Sequence, residues 1–355
     1  MEVKGVVVVE DAGSQSGSAR AGRLEASAHV ANRPIADHVL DVLESAGVHE
    51  IVVASSNEHA RDIRECLAPR EALGGFRMHY LQQPGPIDIA GALSLAAPVI
   101  GGAPCIVHLA SGLLDEPLEP VMDRVLGDSP DVVLILHQGL APHEHLSPAT
   151  QEMLKLAELD PERAALSMAG VCLFGPEALS RASTANWRAG SDIDVTMVAE
   201  RIESAGGSLH LLPVSAWRSY AGDPLDLLEL NRIALDRLRP EMPPPSNHGN
   251  RIEGRVLIHE HASVRASVIV GPTVIGPGAQ VADAYIGPYT SVGAGARIEG
   301  AEIERSIVAA GASITHVGGR LVASVVGRDA RVFRDFSLPR ALRLRVGDGT
   351  VVGLC

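Results

Sequence analysis

From Lys4 to about residue 235, short apolar runs alternate with longer stretches in which apolar residues recur every three or four positions. The runs KGVVVVE, HEIVVAS, FRMHYLQ, APCIVHLA, DVVLILHQ and LHLLPVS predict strands, because a strand buried on both faces needs no polar alternation. RPIADHVLDVLESAG, IDIAGALSLAAPVIG and DPLDLLELNRIALDRL predict helices with one apolar face. Strands separated by helices of this length imply a mostly parallel sheet covered on both sides, a doubly wound α/β domain. Such a fold suits a nucleotide or metabolite but by itself fixes no chemistry.

The period then changes. RPEMPPPSNHGN crowds prolines with Ser, Asn and Gly and marks a linker. Beyond it, aliphatic residues fall six apart at Ile258, Val264 and Val270, at Ile275 and Val281, and at Ile286, Val292 and Ile298. Gly follows at Gly271, Gly276, Gly287, Gly293 and Gly327. An inward aliphatic and a small turn residue every six positions predict a left-handed parallel β-helix, each hexapeptide making one face of a triangular coil. The expected division is an α/β domain over 1–240, a linker over 241–250, the β-helix over 251–332 and a C-terminal tail over 333–355.

Composition narrows the function classes. Charged residues are 21% and the apolar set 46%, and no apolar run has the length of a membrane span. The start, MEVKGVVVVEDAG, lacks the apolar length of a signal peptide, so a cytoplasmic protein is expected, with no membrane partner. A formal charge of −13 without a Lys/Arg cluster argues against nucleic acid. Cys66, Cys105, Cys172 and Cys355 stand apart from one another, without the C-x-x-C spacing of zinc or dithiol sites.

Several stretches resemble the sugar-1-phosphate nucleotidylyltransferases, most closely the long-form glucose-1-phosphate thymidylyltransferases of deoxysugar pathways. HVANRPIADHVLDVLESAGVHEIVV is similar to that family's PVANKP helix and second strand, and YLQQPGPIDIAGAL to its base-binding loop. DLLELNRIALDRL resembles its closing helix, and ASVIVGPTVIGPGAQVADAYIGPYTSVG its β-helix. The likeness runs over nearly the full chain and implies transfer of a nucleotidyl group to a sugar phosphate, with Mg²⁺ held by two Asp.

The residues that would carry this chemistry are the ones that differ. The family's phosphate loop, G-G-x-G-T-R, falls on EDAGSQ, where only Gly13 is kept and Gln15 replaces the arginine. Its next lysine falls on Glu25. A carboxylate about 4 Å from a phosphate costs roughly 4 kcal/mol at an effective dielectric of 20, where a lysine gains a similar amount. The metal carboxylates fall on Ser111, in IVHLASGLL, and on Tyr220, in AWRSYAG, and the sugar-side lysine falls on Leu159. Gln83 and Glu158 are retained, and Asp88 replaces a base-contacting glycine.

These departures imply a catalytically inactive homologue with no catalytic residues and no metal, acting as a binding, regulatory or assembly protein. The residual pocket is assigned to Gly13, Gln83, Asp88, Glu158, Asp192 and Asp194; the competing reading of Gln83, Glu158, Asp192 and Asp194 is that they are inherited polar residues of the surface or pocket without a ligand role. A nucleotide or sugar phosphate is the expected ligand, and a homo-oligomer, or a hetero-oligomer with an active paralogue, the expected assembly. No cofactor is expected. Mg²⁺ belongs only to the alternative, an active nucleotidylyltransferase with a rearranged site. An acyltransferase built on the β-helix is a third reading. PHEHL and IHEHA place histidine pairs at His143/His145 and His259/His261, which could ligate zinc but lack a clear third ligand, so polar turns are expected there.

Overall fold

The computed structural model describes residues 2–10, 24–118, 122, 130–138, 166–176, 178–181, 195–239 and 249–336. Eleven strands precede the proline-rich segment among these residues: β1 (Lys4–Val9), β2 (His29–Val30), β3 (Arg33–Pro34), β4 (Glu50–Ser56), β5 (Arg77–Gln83), β6 (Cys105–Leu109), β7 (Gly112–Leu114), β8 (Val132–Gln138), β9 (Leu166–Phe174), β10 (Leu209–Val214) and β11 (Trp217–Ser219). The helices are α1 (Ile35–Ser45), α2 (Ala60–Ala72), α3 (Ile89–Ile100), α4 (Ala178–Arg181), α5 (Val195–Ser204) and α6 (Pro224–Asp236). A seven-stranded sheet runs β10-β8-β9-β6-β1-β4-β5. Its pairs are parallel except where β9 lies antiparallel between β6 and β8.

The valine run of β1 shows why no polar alternation is needed. Val7 and Val9 face a core shared with α1, α2 and α6, while Val6 and Val8 face a second core shared with α3, α4 and α5. All four are fully buried, so each face of the strand has its own helix layer.

The chain from β12 (Arg251–Glu253) to β26 (Arg331–Phe333) forms three five-stranded parallel sheets stacked as a left-handed parallel β-helix. Ile252 pairs with Ile269, Ile269 with Ile286 and Ile286 with Ile303, a coil of 17 residues. The expectation of a strict six-residue step therefore needs correction. The inward residues Ile252, Ile258, Val264 and Ile269 are spaced six, six and five, and Ile269, not Val270, enters the core. Two corner glycines explain the tight stacking: a Cβ on Gly276 would lie 2.8 Å from Ala294 N, and one on Gly293 would lie 2.5 Å from Ala310 N.

The two parts share packing. Val274 and Ile307, on one outer face of the β-helix, belong to the same core as α1 and α6. Asn231 of α6, 1% exposed, joins them with hydrogen bonds. Its Oδ1 accepts from Ala31 N at 2.8 Å and from the Ser291 hydroxyl, and its Nδ2 donates to Tyr289 O at 3.1 Å. Asn32 Nδ2 donates to Val292 O at 2.7 Å, so the Val30–Arg33 turn is fastened to the β-helix from the other side. A buried amide with every polar atom matched holds one orientation and penalises separation.

Candidate functional site

The sheet order places β1 between β4 and β6, so the chain builds outward on both sides of β1 and a crevice forms beyond the carboxyl ends of these strands. Polar side chains gather at that edge. Ser55 and Ser56 close β4, Gln83 closes β5, His59 precedes α2 and Ser111 follows β6, all buried.

Ala110 N donates to Val8 O at 2.8 Å, carrying the β6 backbone past the end of the strand. β7 then pairs antiparallel with β11, which sets Gly112 opposite Ser219. Tyr220 N donates to Ser111 O at 2.9 Å. The structure thus brings together the two positions at which the resemblance implies metal carboxylates, Ser111 and Tyr220. They offer a hydroxyl and a phenol, and Ser219, one place earlier, is also uncharged. This donor set does not fit Mg²⁺, a hard cation that needs charged oxygen ligands. Among the described residues no group of three His, Cys, Asp or Glu could hold a metal.

Packing accounts for the small residues of IVHLASGLL. A Cβ on Gly112 would fall 2.3 Å from the Trp217 indole, and one on Gly170 of β9 would fall 2.5 Å from the same ring. Trp217 needs both bare positions to lie across them. The His108 ring sits 5.5 Å from the Trp217 ring centroid to centroid. Its Nδ1 lies 2.8 Å from Leu109 O and therefore carries the proton, whereas its buried Nε2 has no partner. Burial lowers this imidazole from the usual 6.5 to about 4, and the charge of Arg237 adds to the effect.

Glu25 opens a short 3-10 turn, Glu25–Ser27, and burial raises its carboxyl above the usual range while the nearby His59 acts in the opposite direction. Gln83 is committed locally, its Nε2 donating to Pro86 O at 2.6 Å. Asp88 is the N-cap of α3 and accepts from Gly91 N at 2.6 Å, so one carboxylate oxygen is engaged by the helix. Asp226, in the first turn of α6, is a polar residue of this region that the helix pattern absorbed unseen. Burial and then Asp223 raise its pKa, while the Ala221 N–H and Arg218 lower it.

Gly13, Gln15, Glu158, Leu159, Asp192 and Asp194 lie outside the described residues, as do His143, Glu144 and His145. His259, Glu260 and His261 lie in a turn between two strands of the β-helix, with His261 at φ 62°. Among the described residues, burial pushes the Cys66 thiol up to about 11 and that of Cys105 to about 12, and raises Cys172 as well, which disfavours the thiolate in each; Cys355 lies outside the described residues.

Searches for similar proteins find no family model that matches the chain. The glucose-1-phosphate thymidylyltransferase of Streptomyces griseus is 30% identical over 327 residues, covering 90% of each chain. That of Streptomyces antibioticus is 28% identical over 347 residues, covering 91% of each. Among solved structures, a glucose-1-phosphate thymidylyltransferase from Bacillus anthracis superposes with a TM-score of 0.53 at 17% identity, covering 68% of this chain and 97% of its own. No described helix is long and apolar enough to cross a membrane.

Proposed function

The chain belongs to the sugar-1-phosphate nucleotidylyltransferase family, and from that premise we propose that it is a catalytically inactive member. It acts as a binding, regulatory or assembly protein in sugar-nucleotide or natural-product metabolism. In this reading residues 1–240 are the binding domain and 251–332 the assembly domain. The observation that supports it is the Ser111–Tyr220 backbone contact, made at 2.9 Å between two residues without a carboxylate. Gln15 and Glu25 at the family's basic positions add to it.

Nucleotidyl transfer must neutralise a triphosphate and hold two anions in line. Each missing contact is typically worth several kcal/mol in such chemistry. The losses are not additive, but two of them suffice for a deficit of roughly 10⁴-fold. The test is pyrophosphate release from dTTP or UTP with glucose 1-phosphate and Mg²⁺. Release at the background rate is expected, and an ordinary turnover would overturn the proposal. Restoring Asp at Ser111 and Tyr220 together is expected to leave the protein inactive, because Glu25 and the Glu10–Asp11 pair still repel phosphate. Rescue requires Gln15→Arg, Glu25→Lys and the glycine-rich loop as well.

The competing reading, an active transferase with a rearranged site, draws its support from identity that extends across 90% of both chains. The same assay decides between them.

A further inference from the structure

The described residues build five coils of the β-helix, and the outer edge of the fifth is open. β24 (Arg320–Val322), β25 (Val325–Val326) and β26 stand last in their sheets, so the backbone groups on that side meet no further strand among the described residues. The core thins toward this end. Val308 of the fourth coil is 1% exposed and Val326 of the fifth is 9%, while the inward Leu321 and Val332 are only partly buried. One corner of the fifth coil is also bare. A Cβ on Gly276 or Gly293 would meet the backbone of the following coil, but one on Gly327, at the same place in the fifth, would meet nothing within 4 Å.

The sequence past this edge repeats what lies below it. In each coil one seven-residue stretch turns the corner from the sheet of β25 to that of β26: IHEHASV at 258–264, IGPGAQV at 275–281, VGAGARI at 292–298, VAAGASI at 308–314 and VGRDARV at 326–332. Its first and last residues are inward aliphatics. Its fourth has positive φ throughout, 62° in His261, 68° in Gly278, 64° in Gly295, 70° in Gly311 and 56° in Asp329. VGDGTVV at 346–352 has the same form, with Gly349 where the left-handed conformation falls and Thr350 in place of the alanine of the other five. From the last residue of one stretch to the first of the next the chain takes 10 residues, Ile298 to Val308, to 12, Ile314 to Val326. From Val332 to Val346 it takes 14, enough to cross the third face and return.

Two hydrogen-bond series run through these stretches and stop at the fifth coil. The second N–H of each donates to the first carbonyl of the next: His259 to Ile275 at 2.9 Å, Gly276 to Val292 and Gly293 to Val308 at 2.7 Å, and Ala309 to Val326 at 2.8 Å. The sixth N–H donates to the fifth carbonyl: Ser263 to Ala279, Gln280 to Ala296, Arg297 to Ala312 and Ser313 to Ala330, all at 2.8 Å. The next donors in the two series are Gly327 and Arg331, on the open edge. We propose that residues 346–352 form a sixth coil that closes this end of the β-helix, with the Gly327 N–H donating to Val346 O and the Arg331 N–H to Thr350 O. The occupant is a segment of the same chain, because the residues after Phe336 leave from the open edge itself and the span to Val346 matches one turn. Val346 then covers Val326, Val352 covers Val332, and the backbone at Asp348 gives Gly327 the close neighbour that Gly276 and Gly293 have. A terminal strand added to a parallel stack satisfies its edge without a second molecule and leaves the outer faces of the sheets as they are. The proposal does not rest on the catalytic reading.

The test begins with the unaltered full chain. Hydrogen exchange resolved to single amides is expected to find Gly327 and Arg331 as slow as Gly293 and Arg297, their counterparts in the third coil. Val352→Asp puts a carboxylate at the end of the core and is expected to speed exchange at Arg331 while Arg297 stays slow. Disulfide trapping with oxidised glutathione, in a Cys355→Ser background, reads the register. Arg331→Cys with Val351→Cys sets two thiols on adjacent strands about 4.8 Å apart, within the reach of a disulfide, and is expected to close within one chain with the loss of two hydrogens. Ser313→Cys with Val351→Cys, two strands and about 9.6 Å apart, is expected to stay reduced. Fast exchange at Gly327 and Arg331 in the unaltered chain overturns the proposal, as does failure of the first pair to close or closure of the second. A first-pair disulfide that joins two chains overturns it as well, since a second copy would then supply the segment.

Discussion

His38 and His108 are sealed in the core as neutral imidazoles. Burial lowers each to about 4, with the charges of Arg33 and Arg237 adding to the effect, and His38 Nε2 lies 2.9 Å from Val30 O. The unfolded chain titrates near 6.5, so it binds more protons than the folded chain between these values. Their stabilisation is complete above the unfolded value and is lost as pH falls toward 4. Between pH 7 and 5.5 each imidazole is expected to cost about 1 kcal/mol of stability, before most carboxylates titrate. Urea unfolding at the two pH values checks this, and His108→Phe should remove about half of the loss. At this scale the site was legible only in part. Ser111 and Tyr220 could be paired through the family likeness, but nothing in the spacing announces that Trp217 lies across Gly112 and Gly170. Asp226 escaped notice because its place in the apolar period of α6 gave it an ordinary surface role.

Among the elements, the six strand runs named from the apolar pattern all formed, whereas α2, α5 and β9, with α4 and the short strands β2, β3, β7 and β11, were not named. α2 buries only Ile63 and Leu67 in 13 residues and carries Pro69 within it, too sparse a stripe to read as amphipathic. LSMAGVCLF has the composition of a strand, but its antiparallel placement between β6 and β8 is a tertiary choice that no local period encodes. The repeat region shows the opposite case, since each coil repeats the same steric demand and the pattern accumulates. Gly293→Ala is expected to cost about 2–3 kcal/mol, because its methyl would meet the Ala310 backbone at 2.5 Å and the coils cannot part. Gly278 also lies at a corner, but nothing stands within 4 Å of its Cβ position; at φ +68° its replacement by Ala should cost only about 1 kcal/mol. Thermal melts of the two variants separate crowding from backbone strain.

For the whole molecule, one face of the β-helix is closed by the α/β domain through Val274, Ile307 and the Asn231 contacts. Among the described residues the strands of the other two sheets contribute none to that core, and Val322, Val325, Phe333 and Phe336 are exposed near the last coil. Closed symmetry is the common way to cover such surfaces. Light scattering at micromolar concentration is expected to give a multiple of 37.2 kDa; a monomer would remove the assembly role from the proposal. The coil, 17 residues in the first turns and 16 or 18 in later ones, carries a further consequence, for how this protein can change length over evolutionary time. An insertion of a few residues inside a coil rotates every later aliphatic off its face, so small length changes are tolerated only as bulges at the corners. Beyond such one-residue differences at the corners, the domain can lengthen or shorten only by whole turns, each changing its height by about 4.8 Å, and homologues are expected to differ there in discrete steps.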